Sequence, residues 1–390
     1  MRFEMKKILL LCCFSVGIVF MPNVSEASTS NDEEVRSLMD HVSTEELEQN
    51  YEELHEQYGE YMPKVDFNDL SGWGSEEPTN AGWISGIVSF LFHELLSNGK
   101  LLGALLFLTL FSTLLQAMQS SFENTVVSRI AYMVIYLVLI GLALESFGQV
   151  IEYTLGAINQ MSSFMIGLLP LLLGIMASFS HLMSISFFHP IIVALVQSSG
   201  LLVKYVLIPL FASSALLLIV GSLNEAFKVD QLAELMRKTG MAIMGVYLTL
   251  FLGVISVQGT VTAVQDGVTM KTARFVTGNF VPVVGRLFTD ATDTILGASL
   301  ILKNTLGIAG VVILLGISLF PALKILAIAL IYKLAAALLQ PVGDGPVVTA
   351  MAVVSKHMMY IFAALLMVSM MFFLVIVIMV AASNITMMVR

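Results

Sequence analysis

Apolar residues run through this chain in blocks long enough to cross a bilayer, and polar residues fall unevenly between them. A spanning helix needs about 20 apolar residues in a row. Nine blocks come near that length: Leu101–Met118, Ile130–Ile151, Met161–Ser178, Ser184–Val203, Tyr205–Leu223, Met241–Val257, Thr305–Phe320, Pro321–Gln340 and Met358–Ala382. Pro170, Pro190, Pro209 and Pro321 interrupt the pattern, and such prolines are tolerated where neighbours re-satisfy the freed backbone. Ser184–Leu223 reads as two spans or a re-entrant pair, since Lys204 alone divides it. The pattern predicts an all-α, polytopic α-helical membrane protein of about 7–9 spans, preceded by a small acidic helical extracytoplasmic segment.

The order of pieces follows. In residues 1–27, Arg2, Lys6 and Lys7 precede the apolar run Ile8–Met21, and Ser25-Glu26-Ala27 supplies small residues for cleavage, the anatomy of a signal peptide. An uncleaved signal anchor is the rival reading. Residues 28–82 form an acidic segment and linker: Ser43 and Glu46 make a capping box, and Leu47, Tyr51, Leu54 and Tyr58 then repeat at heptad-like spacing. So short a stripe needs a neighbour; a docking module and a solvated spacer are both open. Trp73 and Trp83 sit at the end of the linker, as interfacial anchors do. Residues 83–99 predict an amphipathic interfacial helix, with Ile84, Ile87, Val88, Leu91, Phe92, Leu95 and Leu96 on one stripe and Asn98-Gly99 as its stop. A lid packed on the bundle is the other reading. The membrane domain, residues 100–390, follows.

Within that domain one stretch, residues 258–303, breaks the apolar pattern. It carries Asp266, Lys271, Arg274, Arg286, Asp290, Asp293 and Lys303 among many Thr and Gly. Read as helix, Val261, Val264, Val268, Thr272 and Phe275 share a face; after Gly278-Asn279 and Pro282 a second helix places Leu287, Ala291, Ile295, Ala298 and Leu302 together. Asp290 and Asp293 share a face, with Arg286 one turn before Asp290. Glu145 and Lys333 lie inside spans, where ionisable residues usually face the bundle interior and raise a pathway hypothesis. These nine charges are the candidate site; buried or interfacial ion pairs are the plainer reading of them.

Composition narrows the class. Of 390 residues 57% are hydrophobic and 12% charged, against about 25% charged in soluble domains. Residues 26–77 hold 16 acidic and 2 basic side chains, whereas residues 78–390 hold 11 acidic and 14 basic. No basic footprint for nucleic acid is present. Cys12 and Cys13 both fall in the leader, so no disulfide frame or thiol chemistry is expected downstream. The six histidines are scattered, and His93-Glu94 lacks a second histidine nearby. Gly343-Asp344-Gly345-Pro346 is a turn rather than a phosphate loop, and no HExxH, CxxC or GxSxG occurs. An enzyme, a metal site and a cofactor are not expected. Orientation from the leader puts the acidic segment outside. Nine spans then place Asn224–Gly240 and Arg390 inside, as the positive-inside tendency asks, but leave the basic residues of 258–303 outside, against it.

Several runs carry a family likeness: LFHELLSNGKLLG (Leu91–Gly103), FLGVISVQGT (Phe251–Thr260), TARFVTGNFVPVVGRLFTDATDT (Thr272–Thr294), LKNTLGI (Leu302–Ile308), IYKLAAALLQPVGDGPV (Ile331–Val347) and the NxTMM end (Asn384–Met388). The chain from about Leu91 onward resembles the stage III sporulation protein AE family of endospore-forming bacteria. The resemblance implies a multi-pass protein of the mother-cell membrane around the forespore. Its partners would be the other stage III A proteins and, through their complex, stage II sporulation protein Q. That complex supports forespore maintenance and sigma-G activity. It implies no catalytic residues and no cofactor. A stand-alone ion-coupled transporter and a purely structural scaffold are the alternatives, and a homo-oligomer is left open.

Overall fold

The computed structural model of the chain describes residues 45–61, 80–121, 126–177, 182–222, 229–280, 284–341 and 345–388. Within these, 45–48, 80–84, 115–121, 126–129, 132, 173–177, 182–189, 258–305 and 381–388 are described as backbone only. All regular structure among the described residues is helical: α1 (Glu45–Tyr58), α2 (Asn80–Ser97), α3 (Gly99–Ser121), α4 (Val126–Ala177), α5 (Leu182–Leu202), a π-helical turn (Val203–Leu207), α6 (Ile208–Gly221), α7 (Asp230–Phe280), α8 (Val284–Leu339) and α9 (Pro346–Met388). The leader and most of the linker read from the sequence lie outside the described residues.

Among the described residues, five helices are long and apolar enough to cross a membrane: Met133–Leu172, Pro190–Gly221, Asp230–Val257, Leu306–Leu339 and Pro346–Val380. Ser85–Ser97 with Gly99–Leu114, bent by 46°, makes a sixth if the pair crosses as one. Against the expected 7–9 spans, the described residues thus supply five or six candidates. Three expected boundaries are not helix ends. Ile130–Ile151 and Met161–Ala177 lie on one helix of 52 residues, and Thr305–Phe320 and Pro321–Leu339 on one helix of 56. Pro170 and Pro321 lie inside these helices. A proline forfeits one backbone bond, which costs a kink rather than an end where tertiary packing holds both flanks. At Lys204 the chain widens into the π turn and then passes Pro209, at the start of α6, without stopping. An extra residue in the turn lets the ladder skip the amide that proline lacks. α4 and α8 would be about 80 Å long if straight, well beyond a hydrocarbon core of about 30 Å.

The core sits on α8 and α9, whose most apolar stretches are each 61% buried, against 17% for α7. Small residues permit the close approach. A Cβ at Gly310 would lie 2.8 Å from Leu168 Cδ2 of α4, and one at Gly307 would collide with Val380 Cγ2 of α9. Hydroxyls then bridge the helices where no water reaches: Ser369 donates to Ser318 (2.8 Å), Ser355 to the Ala329 carbonyl (2.8 Å) and Tyr332 to Ser146 (2.9 Å). Unpaired, each buried hydroxyl would cost a few kcal/mol.

The residues expected to form an interfacial helix lie on α2, and the chain bends at Asn98, whose side-chain amide donates to the Glu94 carbonyl (2.9 Å). Its buried seat differs from expectation. Phe90 is 4% exposed, while Val88, Phe92 and Leu96 of the expected stripe point outward. α2 thus has two apolar sides, one against α8 and one free for lipid.

The glycine contacts yield a test. Gly310→Ile should destabilise the chain by about 1–3 kcal/mol through overpacking against Leu168, lowering the thermal aggregation temperature in detergent. Gly253→Ile, whose Cβ meets nothing within 4 Å, should leave that temperature unchanged.

Candidate functional site

The charged stretch 258–303 divides as the pattern asks, though α7 runs through Gly278-Asn279 to Phe280 before α8 opens at Val284. Asp266, Lys271 and Arg274 fall on the end of α7, and Arg286, Asp290, Asp293 and Lys303 on the start of α8. Their side chains lie outside the described residues. Glu145 and Lys333 are placed, and not where the sequence suggests: both are exposed on the outside of the bundle. The inward positions are taken by their neighbours, Ser146 and Tyr332, which bond to each other. One residue along a helix turns the side chain by about 100°. A charge facing hydrocarbon costs about 2.5–3.5 kcal/mol on an insertion scale, so both residues need headgroups, water or another chain beside them.

The interior holds a polar cluster that hydropathy does not reveal. Arg237 of α7, 6% exposed, donates through Nη1 to Tyr360 of α9 (2.9 Å) and through Nη2 to Glu234 (3.3 Å). Glu234 also pairs with Lys238 at 3.1 Å on the surface. The Tyr360 ring stacks on Phe211 of α6 (5.5 Å) and meets the His357 ring edge-on (5.6 Å). His357 is fully buried. Its Nδ1–H donates to the Val353 carbonyl (2.8 Å), which leaves Nε2 to accept from Ser214 Oγ (3.0 Å). The same hydroxyl lies 2.7 Å from the Ala233 carbonyl, so one proton serves two acceptors. The cluster pins α6, α7 and α9 together. Its only sequence signal is His357 and Tyr360 one turn apart, with Arg237 among the expected loop charges.

Helix α1, from the acidic stretch of the sequence, packs against α8 and α2. Tyr51 and Leu54 of α1 are buried, and Tyr58 stacks on Phe320 of α8 with ring centres 4.2 Å apart and planes within 6°. Phe90 of α2 closes the triangle, 5.0 Å from Phe320 and 5.7 Å from Tyr58. Lys324 Nζ lies 5.4 Å from the Tyr58 ring and 5.5 Å from that of Tyr153, a cation shared by two aromatic faces. Burial first, then the negative charge of Glu94, raises the Tyr58 phenol above its usual range, so it stays neutral at physiological pH. The neighbour that the Tyr51, Leu54 and Tyr58 stripe requires is thus the chain's own α8 and α2. The opposite face, with Glu52, Glu53, Glu56 and Glu60, remains exposed.

Two outcomes are expected. Tyr360→Phe removes one of the two partners of a buried guanidinium and should cost about 1–3 kcal/mol, read as a lower melting temperature in detergent. Tyr58→Ala should free α1, seen as faster glutamyl-endopeptidase cleavage between Glu52 and Glu60 while the membrane helices stay resistant.

No solved structure matches the chain. The family model described as stage III sporulation protein AE matches residues 67–383. A Bacillus subtilis (strain 168) protein described as stage III sporulation protein AE is 48% identical over 351 residues, covering 90% of this chain and 88% of that protein. The helical bundle, with its five or six candidate spans and anchored N-terminal helix, belongs to the stage III sporulation protein AE family of sporulation membrane proteins.

Proposed function

We propose that this chain is a membrane-core component of the complex joining mother cell and forespore, assembled with other stage III A proteins and, through them, stage II sporulation protein Q. Identity of 48% across 90% of the chain carries the reading. Residues 1–27 act as a signal peptide, residues 28–82 stand outside the cytoplasm, and residues 83–99 lie at the interface. The membrane domain, residues 100–390, follows in the mother-cell membrane. With α2–α3 counted as one crossing, six crossings put residues 258–303 outside the cytoplasm. They also move the C-terminus outside, from the inner side that nine spans imply. The charged ends of α7 and α8 then stand where intermembrane partners can reach them, and the exposed glutamates of α1 present a second, acidic surface.

The charges of the α7–α8 hairpin are read as a pathway or assembly surface rather than as bundle glue. The triple variant Arg286→Ala, Asp290→Ala, Asp293→Ala should insert and fold normally, yet lower heat-resistant spore counts by orders of magnitude. Normal sporulation would remove the role. Gradient-driven solute uptake by the purified chain alone in liposomes would instead favour a stand-alone transporter.

A further inference from the structure

The outward face of α4 changes character along its length. From Ile130 to Leu144 it shows large apolar side chains: Ile130, Met133, Val134, Leu137, Val138 and Leu144. Beyond that it shows Glu145, Gln149, Glu152, Gly156, Asn159 and Ser163, all exposed, at alternating steps of four and three. Such steps make one continuous seam on a helix. A Cβ at Gly148 or Gly156 would meet nothing within 4 Å. Small residues with interspersed hydrogen-bonding groups are the composition of a membrane helix–helix interface, because they let backbones approach and give polar groups a partner.

Heights are set by contacts. A Cβ at Gly200 of α5 would lie 3.4 Å from Ile158 and 3.7 Å from Ser162 of α4, and Ser198 shares a 2.7 Å hydrogen bond with Tyr247 of α7. At this height α7 turns Val246 and Leu250 outward, 61% and 62% exposed, a face made for hydrocarbon. The polar seam of α4 at the same height therefore needs a cover. Because α4 and α5 run antiparallel, four residues past Gly200 brings Lys204 level with the Thr154–Ile158 turn, about 3–9 Å in height from Glu152, a gap the two long side chains span. Lys204 is exposed, and its one described contact is with the ring of the adjacent Tyr205, 5.3 Å away. Ser162 and Gly200 lie between the two exposed seams, so Glu152 and Lys204 belong to one flank of the α4–α5 pair. Neither takes part in an ion pair in the described chain.

We propose that this flank is where two copies of the chain pair, with Glu152 of each facing Lys204 of the other. All copies insert the same way, so the two-fold axis must run along the membrane normal, and such an axis keeps every residue at its own height. A surface that carries acid and base within side-chain reach in height is then its own complement. The pairing is independent of which sporulation complex the chain joins.

The test uses the full-length chain with Cys12 and Cys13 changed to serine, co-expressed as two tagged copies in native membranes. One copy carries Glu152→Cys, the other Lys204→Cys. Mild oxidation should link the two tags in one band of doubled mass. Glu152→Cys with Leu250→Cys, on the outward face of α7, should not. In the cysteine-free chain, Lys204→Glu should lower capture of one tagged copy by the other by about tenfold. Adding Glu152→Lys in both copies should restore it, which a folding defect would not. Linkage no stronger than in the Leu250 control would overturn the proposal. So would linkage to a different protein in place of the second copy, or full labelling of Gln149→Cys and Asn159→Cys by a membrane-impermeant maleimide.

Discussion

A polar group inside hydrocarbon has to be answered by protein, and the packing of this bundle follows from how its helices meet that demand. Gly307 and Gly310 let α8 close on α9 and α4. That approach brings Ser318 to Ser369, Ser355 to a carbonyl of α8, and Tyr332 to Ser146. If the helices stood an ångström or two further apart, those hydroxyls would lose their partners and the backbones their cover. Dispersion and buried hydrogen bonds, not a hydrophobic force between greasy rods, hold such a bundle together.

The same demand explains the Arg237 cluster. A guanidinium near the start of α7 could reach water, but it is drawn inward to a phenol on α9 whose ring stacks on Phe211 of α6. Glu234 and Lys238 remain at the surface, so one charge serves the interior and two the rim. The serine hydroxyl between His357 and the Ala233 carbonyl completes the joint. Three helices distant in sequence are fixed to one another at this point.

Much of this was legible beforehand. The apolar blocks, the stop at Asn98-Gly99 and the need of Tyr51, Leu54 and Tyr58 for a neighbour all follow from the pattern of residues. Three things were hidden. The continuity of α4 and α8 could not be read, because a proline or a short polar patch ends a helix in water but not inside a packed bundle. Which face α2 buries was obscured by apolar residues on both of its sides: Ile87, Leu91 and Leu95 of the expected stripe pack on the core beside Phe90, while Val88, Phe92 and Leu96 do not. The outward placing of Glu145 and Lys333 depends on a single residue of phase, and hydropathy averages that away. The charges of 258–303 were visible as an anomaly, and the structure carries helix through them on both sides of Pro282.

The seat of α1 sits beside a weak place in α8. Tyr58 stacks on Phe320, and the next residue is Pro321, where the helix lacks a backbone bond. Lys324, one turn on, holds the same ring. A pull on α1 is therefore delivered to α8 beside the residue where its backbone ladder lacks a bond. The arrangement works as a handle set beside a proline: force applied to α1 reaches one of the two most buried helices of the bundle directly.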